Sequence, residues 1–265
     1  MEAAKLKLDE SDLAGAIAAA IETVKKKPTD GAARTFLFEL SCFSGDWDRA
    51  DKQLDAIGHQ DTNAGMGSLI YRQNLASEKT RISLFEHNTR PEFVNSVPGY
   101  VEELLQAIDL VRRGENAAAR ELLDKIEEER PAFPVTVNGK DHEDFRDYND
   151  LTMCVFEAFI KDSYFWLPFE DVVSIEFLER KSLRDIYWPQ VKVELVDGTN
   201  GEMFVPSLYA NTWKNADDQI RLGRSVDWRD LGDDLFVGEG SRLYWMSGID
   251  MPLLDIQTIT FKRDE

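Results

Sequence analysis

The chain has 265 residues, 43% of them hydrophobic and 11% aromatic, and a formal net charge of −19. That length and apolar content specify folded domains with sizeable cores and exclude a disordered chain. Residues 1–135 carry 17 basic against 24 acidic side chains and residues 136–265 carry 14 against 26. This excludes nucleic acid and anionic membranes as partners, because phosphate binding needs clustered Lys and Arg; it favours a protein partner with a basic patch.

The first elements are helical. Leu13, Ile17, Ala20, Ile21 and Val24 recur at helical spacing, Asp12 stands at the N-cap position, and Pro28 follows the last turn. A second helix is expected over about 31–43, a Gly45-Asp46 turn, and a third helix over about 47–57. Residues 65–98 lack the small-residue landmarks of their neighbours, and Leu69, Leu75, Ile82, Leu84 and Phe85 predict one longer helix there. Ala16 and Ala50 lie 34 residues apart, and Ala119 falls two further periods and one residue on; Pro28 and Pro131 keep the same step. A 34-residue period with small residues at helix crossings resembles tetratricopeptide repeats. The predicted fold is therefore a TPR-like helical repeat array over residues 1–131. Such arrays leave a concave face lined by the first helix of each hairpin. In this register Thr35, Glu39, Gln73, Tyr100 and Glu103 line it as candidate partner-binding residues.

Residues 131–147 hold two prolines and Asn138-Gly139, which break the helical pattern and mark a domain boundary. A C-terminal α+β domain with antiparallel strands is expected over 140–265. Leu151, Cys154, Val155, Ala158 and Phe159 predict an amphipathic helix over 148–160. Strands follow. Val172, Val173, Ile175 and Phe177 form a β-branched and aromatic run, and Val191, Val193 and Leu195 alternate with polar residues up to Asp197-Gly198. Met203–Val205 then ends at Pro206, which makes an antiparallel hairpin. Residues 220–228 and 242–246 and a closing strand within 253–261 complete the chain.

Little in the sequence carries chemistry. His59, His87 and His142 have no second ligand at metal-binding spacing. Phosphate-loop, dinucleotide and nucleophile-elbow motifs are absent from the sequence. No cofactor, metal or catalytic set is expected. Cys42 and Cys154 fit buried reduced thiols. Asp141, Glu143, Asp144, Asp147 and Asp150 cluster around His142 without the spacing of a calcium loop. The alternative to a binding protein is a metal-assisted hydrolase using this 141–150 cluster. Arg184-Asp185 and Arg224 with Asp227 suggest structural ion pairs, and Trp166, Trp188, Trp228 and Trp245 suggest core or interface anchors. No apolar run reaches the ~18 residues of a membrane span, and the first residues lack the apolar core of a signal peptide, so a cytoplasmic location is expected.

Several ordered motifs resemble the ImpE/SciE/TagJ family. They are Arg34-x-x-Leu37-Phe38-Glu39-Leu40 and Gly45-Asp46-Trp47-x-Arg49-Ala50 in the first half. In the second they are Glu157, Tyr164-x-Trp166-x-Pro168-Phe169, Leu183-Arg184-Asp185-x-x-Trp188, Val205-Pro206-x-Leu208-Tyr209, and Leu222-Gly223-Arg224 with Asp227-Trp228. The resemblance implies a non-catalytic accessory protein of bacterial type VI secretion. Its implied partners are the small subunit of the contractile sheath and the AAA+ unfoldase that disassembles it.

Overall fold

Carboxylate caps and glycine turns cut the first half of the chain into helices. In the computed structural model, which describes residues 1–60 and 64–263, seven helices come first. They are α1 Glu2–Asp9, α2 Leu13–Lys26, α3 Gly31–Phe43, α4 Trp47–Gln60, α5 Gly65–Glu86, α6 Gly99–Arg112 and α7 Asn116–Glu129. Asp12 accepts from the Gly15 amide at 2.7 Å and Asp30 from the Ala33 amide at 3.0 Å, so each satisfies an orphan N–H of its helix. Ala16, Ala20, Ala33, Ala50, Ala107 and Ala119 are all fully buried, which lets neighbouring helices approach closely. No described helix is long and apolar enough to cross a membrane.

The second half is β-rich. Its elements are β1 Val135–Val137, β2 Lys140–His142, β3 Arg146–Asp147, β4 Val155–Ile160, β5 Ser163–Pro168, β6 Val172–Phe177, α8 Leu183–Tyr187, β7 Gln190–Leu195, β8 Asn200–Phe204, α9 Asp218–Arg221, β9 Val226–Asp230, β10 Phe236–Gly240, β11 Leu243–Met246, β12 Ile249–Pro252 and β13 Thr258–Phe261. Eight of these strands form one antiparallel sheet in the order β2-β1-β13-β6-β7-β8-β4-β5. β9 and β10 pair separately, as do β12, β11 and β3. The expected β7–β8 hairpin is present, with Val191, Val193 and Leu195 buried on its inner face.

Two expectations change. The predicted helix over 148–160 is a 3-10 turn at Asp150–Thr152 followed by β4. Val155 to Phe159 are buried on both faces of the sheet, so the run shows no strand alternation, and its periodicity alone could not separate strand from helix. The 131–147 stretch is also structured. Val135 and Val137 are buried, β1 pairs with both β13 and β2, and Asn138-Gly139 is the tight turn between β1 and β2, both with positive φ. The sheet therefore begins at 135, ahead of the expected 140.

Helices and sheet share one continuous apolar core. Gly45 shows how closely they meet. Its φ is +71°, and a Cβ there would stand 2.4 Å from the Trp213 ring, so only glycine satisfies both the turn and the contact.

Candidate protein-docking surface

The face expected to be a concave groove is where the helices meet the β-rich half. Glu39 is 5% exposed, and its Oε1 accepts from Arg184 Nη1 of α8 at 2.6 Å. Burial pushes the Glu39 carboxyl up from its ordinary value, against the opposing pull of Arg184. The Tyr100 hydroxyl donates to Glu170 of the β-rich half. Glu103 accepts from Lys125 of α7 at 2.6 Å. Thr35 is half-buried, and its hydroxyl donates to the Gly31 carbonyl at 2.9 Å. Glu39, Tyr100 and Glu103 thus make contacts within this chain.

Thr35 lines a cleft of about 180 Å³ with Phe38, Leu54, Ile57, Tyr71 and Arg184. The Arg184 guanidinium lies over the Tyr71 ring at 5.3 Å and closes one end. On the other face of α5 from the cleft-lining Gly67, Ser68 and Tyr71, the side chains of Met66, Leu69 and Ile70 are 69%, 53% and 36% exposed. With half-buried Gln73 they stand at i, i+3, i+4 and i+7, one face of the helix. Leu69, one of the apolar positions that predict this longer helix, is on the surface. Asp48, Asp51 and Asp55 of α4 border α5, where Asp48 pairs with Lys79 and Asp51 and Asp55 pair with Arg72. Thus α5 lines a cleft with one face and carries an exposed apolar stripe on another. Large apolar side chains grouped outside the core are how protein-binding sites commonly present themselves. Thr35 lines the cleft and Gln73 stands on the stripe; Tyr100 and Glu103 do not line the cleft.

The most charged part of the molecule is fully buried and holds the two halves together. Arg81 of α5 donates to Glu157 of β4 through Nε at 2.8 Å and Nη2 at 3.1 Å, to Glu78 at 2.9 Å and to the Leu208 carbonyl at 2.7 Å. Arg242 bridges Glu157 and Asp147, the latter at 2.5 Å. Tyr164 donates to Glu157, Trp166 Nε1 to the Tyr164 hydroxyl at 2.6 Å, Tyr209 to Asp147 at 2.8 Å and Trp188 Nε1 to Glu78 at 3.1 Å. Burial alone would raise the Glu157 carboxyl, but Arg81 and Arg242 together hold it down at about 2. Asp147 has the single cation Arg242, and there burial wins and raises it. Apart from Arg242 Nε, which has no partner among the described residues, these groups satisfy one another, which suits a structural lock. Glu157, Tyr164, Trp166, Trp188 and Tyr209 stood out in the sequence motifs. Arg81 and Arg242 did not, although an arginine set among the apolar positions of a helix or strand is itself a signal of a buried pair.

The acidic 141–150 stretch is similarly engaged. Asp141 meets Lys262 at 2.6 Å, Asp144 meets Arg130 at 2.6 Å, and Asp150 meets both Arg120 and Arg146 at 2.5 Å. Among the described residues no group of three His, Cys, Asp or Glu side chains is placed to hold a metal ion. Burial pushes the Cys154 thiol up to about 12 and that of Cys42 well above its ordinary value. Arg184 and Arg224 were expected to pair with nearby aspartates. Arg184 does lie 4.0 Å from Asp185, but its closer partner is Glu39 at 2.6 Å; Arg224 instead donates to Ser11 at 2.6 Å and to the Leu8 carbonyl at 2.9 Å.

Comparison with known proteins agrees with the motifs. Residues 139–260 match the family model described as ImpE protein. The chain is 28% identical over 247 residues to the type VI secretion system accessory component TagJ of Pseudomonas aeruginosa, covering 93% of this chain and 86% of that protein. Its fold matches the crystal structure of protein VPA1032 from Vibrio parahaemolyticus, with a TM-score of 0.91 at 24% identity over 98% of each chain.

Proposed function

For a chain that belongs to the ImpE family, we propose the role of a non-catalytic type VI secretion accessory protein that acts by holding protein partners. The similarity to TagJ along nearly the whole chain carries this reading. The apolar stripe of α5 gives it a surface. The proposed occupant is an amphipathic helix from the sheath small subunit. Its apolar face would cover Met66, Leu69 and Ile70, and its basic side chains would face Asp48, Asp51 and Asp55. The second proposed partner is the AAA+ unfoldase, so that the protein links sheath and disassembly machine in the cytoplasm. A TPR-like origin of the helices and a division into a helical unit 1–131 and a β-rich unit, expected from 140 and beginning with β1 at 135, belong to the same proposal. The 34-residue register and the buried alanines at the helix contacts support them.

The test is titration of the sheath small subunit's amino-terminal peptide into the full-length protein and into a Leu69→Asp/Ile70→Asp variant. Saturable binding that the variant loses is the expected result. Equal binding by both proteins removes α5 as the docking surface. No binding of the intact small subunit by either protein overturns the sheath partner.

A further inference from the structure

A second cavity, at the far end of α5 from the stripe, has a different chemistry. It measures about 300 Å³ and lies where the ends of α5 and α6 meet the β9–β10 hairpin. That is the low end of the ~300–1,000 Å³ range of small-ligand pockets. Phe85, Ile108, Leu231 and Val237 contribute apolar wall, and Arg112, Lys214 and Arg229 contribute cations. Glu86 is the acidic residue of the lining and engages Lys214; Arg229 is held by Glu239 at 2.8 Å. A cation-rich lining stands out in a chain of net charge −19.

Two buried polar atoms of this lining have no partner among the described residues. Arg112 uses Nη2 on Asp109 and on Asn88, but its Nε donor is unpaired. Asn211 Oδ1, an acceptor, is unpaired as well. Asn211 sits at φ +66°, in the left-handed region that asparagine tolerates. The backbone thus accounts for the residue type, yet the oxygen is left without a donor, and unsatisfied buried polar atoms are costly. The cavity therefore offers an apolar wall, a cationic donor and a neutral acceptor together.

We propose that this cavity binds the C-terminal residue of a peptide. Its apolar side chain lies against Phe85, Ile108, Leu231 and Val237. Its α-carboxylate takes the unpaired Nε–H of Arg112, assisted by Lys214 and Arg229, and its amide N–H donates to Asn211 Oδ1. A charge-assisted contact to arginine is among the stronger hydrogen bonds available. This assignment does not rest on the α5 docking reading.

The test uses the full-length protein and four probes in calorimetric titration: N-acetyl-leucine, N-acetyl-leucinamide, hexanoate and the tripeptide acetyl-Ala-Ala-Leu with a free carboxylate. N-acetyl-leucine is expected to bind with a Kd on the order of 1 mM, as suits so small a ligand, and the tripeptide at least as tightly. The leucinamide, which lacks the carboxylate, and hexanoate, which lacks the N–H, are expected to bind at least about tenfold and about threefold more weakly. Arg112→Gln should abolish the preference for acid over amide. Asn211→Gly, which keeps the positive φ and removes the oxygen, should abolish the preference for N-acetyl-leucine over hexanoate. Equal affinity for acid and amide overturns the proposal on the unmodified protein, whatever the variants do to folding. So does absence of saturable binding. Binding of N-acetyl-leucine with exclusion of the tripeptide also overturns it, and points to a free acylated amino acid instead.

Discussion

Arg184 Nη1 lies 2.6 Å from Glu39 Oε1, and this pair joins α8 of the β-rich half to α3 of the helical half. Glu39 is therefore an internal partner of the fold, and substitutions at it act on stability first. Arg184→Ala leaves the buried carboxylate uncompensated. It should cost about 1–3 kcal/mol, less than a wholly buried pair because Arg184 is partly open to water. Urea titration at pH 7 measures this. A double-mutant cycle with Glu39→Gln should return a favourable coupling, and additive effects would show that the two residues do not sense each other.

The interior network sets the response to acid. Glu157 titrates at about 2 when folded, below its ordinary value near 4.5. The unfolded chain therefore takes up its proton first. The stabilisation is complete above about pH 4.5 and is lost as pH falls towards 2, for about 3 kcal/mol in all. Asp147, raised by burial, works in the opposite sense and offsets part of this loss. Glu157→Gln leaves Arg81 and Arg242 short of an anion and should cost about 3–5 kcal/mol at neutral pH. The gap from the native protein should narrow below pH 4.5. Unfolding free energies that stay a constant distance apart from pH 7 to 3 would contradict the assignment.

At the α5 surface the expectation is the reverse, an effect on binding without an effect on folding. Met66, Leu69 and Ile70 are exposed, so Leu69→Asp should change stability by less than about 0.5 kcal/mol. Loss of binding in the same variant, with an unchanged melting curve, separates the docking role from a packing role. Association should also slow as salt rises, since the border of Asp48, Asp51 and Asp55 steers a basic partner.

Leu54 forms the floor of the adjoining cleft and is 3% exposed, whereas Trp47 is half-buried against Tyr187 at a ring distance of 6.4 Å. Leu54→Ala should cost about 2–5 kcal/mol and Trp47→Ala should fall below it. The reverse order in denaturant titration would mean that the α4 register is misassigned.

Gly45→Ala combines a left-handed backbone with a collision against Trp213. It should destabilise by about 1–3 kcal/mol through strain and overpacking. Trp213→Ala should make the Gly45→Ala change cheaper, because the ring it strikes is gone. Thermal unfolding of the four proteins reads this coupling directly.

Much of the fold was legible because it follows from local chemistry. Asp12 caps, the Gly45 turn and the Val191–Leu195 alternation act within a few residues, and each appeared where expected. β4 was not legible, since Val155–Phe159 is buried on both faces, Glu157 included, and helix and strand then share one pattern. For the candidate surface, helical spacing chose Thr35, which lines the cleft, and Gln73, which stands on the α5 stripe, but nothing local shows that α8 folds back over Glu39 or that Tyr100 meets Glu170, 70 residues on. The buried network lies at the same limit, with Arg81 and Glu157 separated by 76 positions and Glu157 and Arg242 by 85.

At the outer edge of the large sheet, the Glu92 amide donates to the Tyr164 carbonyl at 2.8 Å, and its own carbonyl accepts from the Trp166 amide at 3.0 Å. The segment between α5 and α6 thus occupies hydrogen-bonding positions that β5 would otherwise present to solvent. Open ladders of that kind recruit strands from other molecules. The opposite margin, β2, is three residues long and carries Lys140. Neither margin of this sheet offers a long template on which identical copies could pair edge to edge and grow into fibrils.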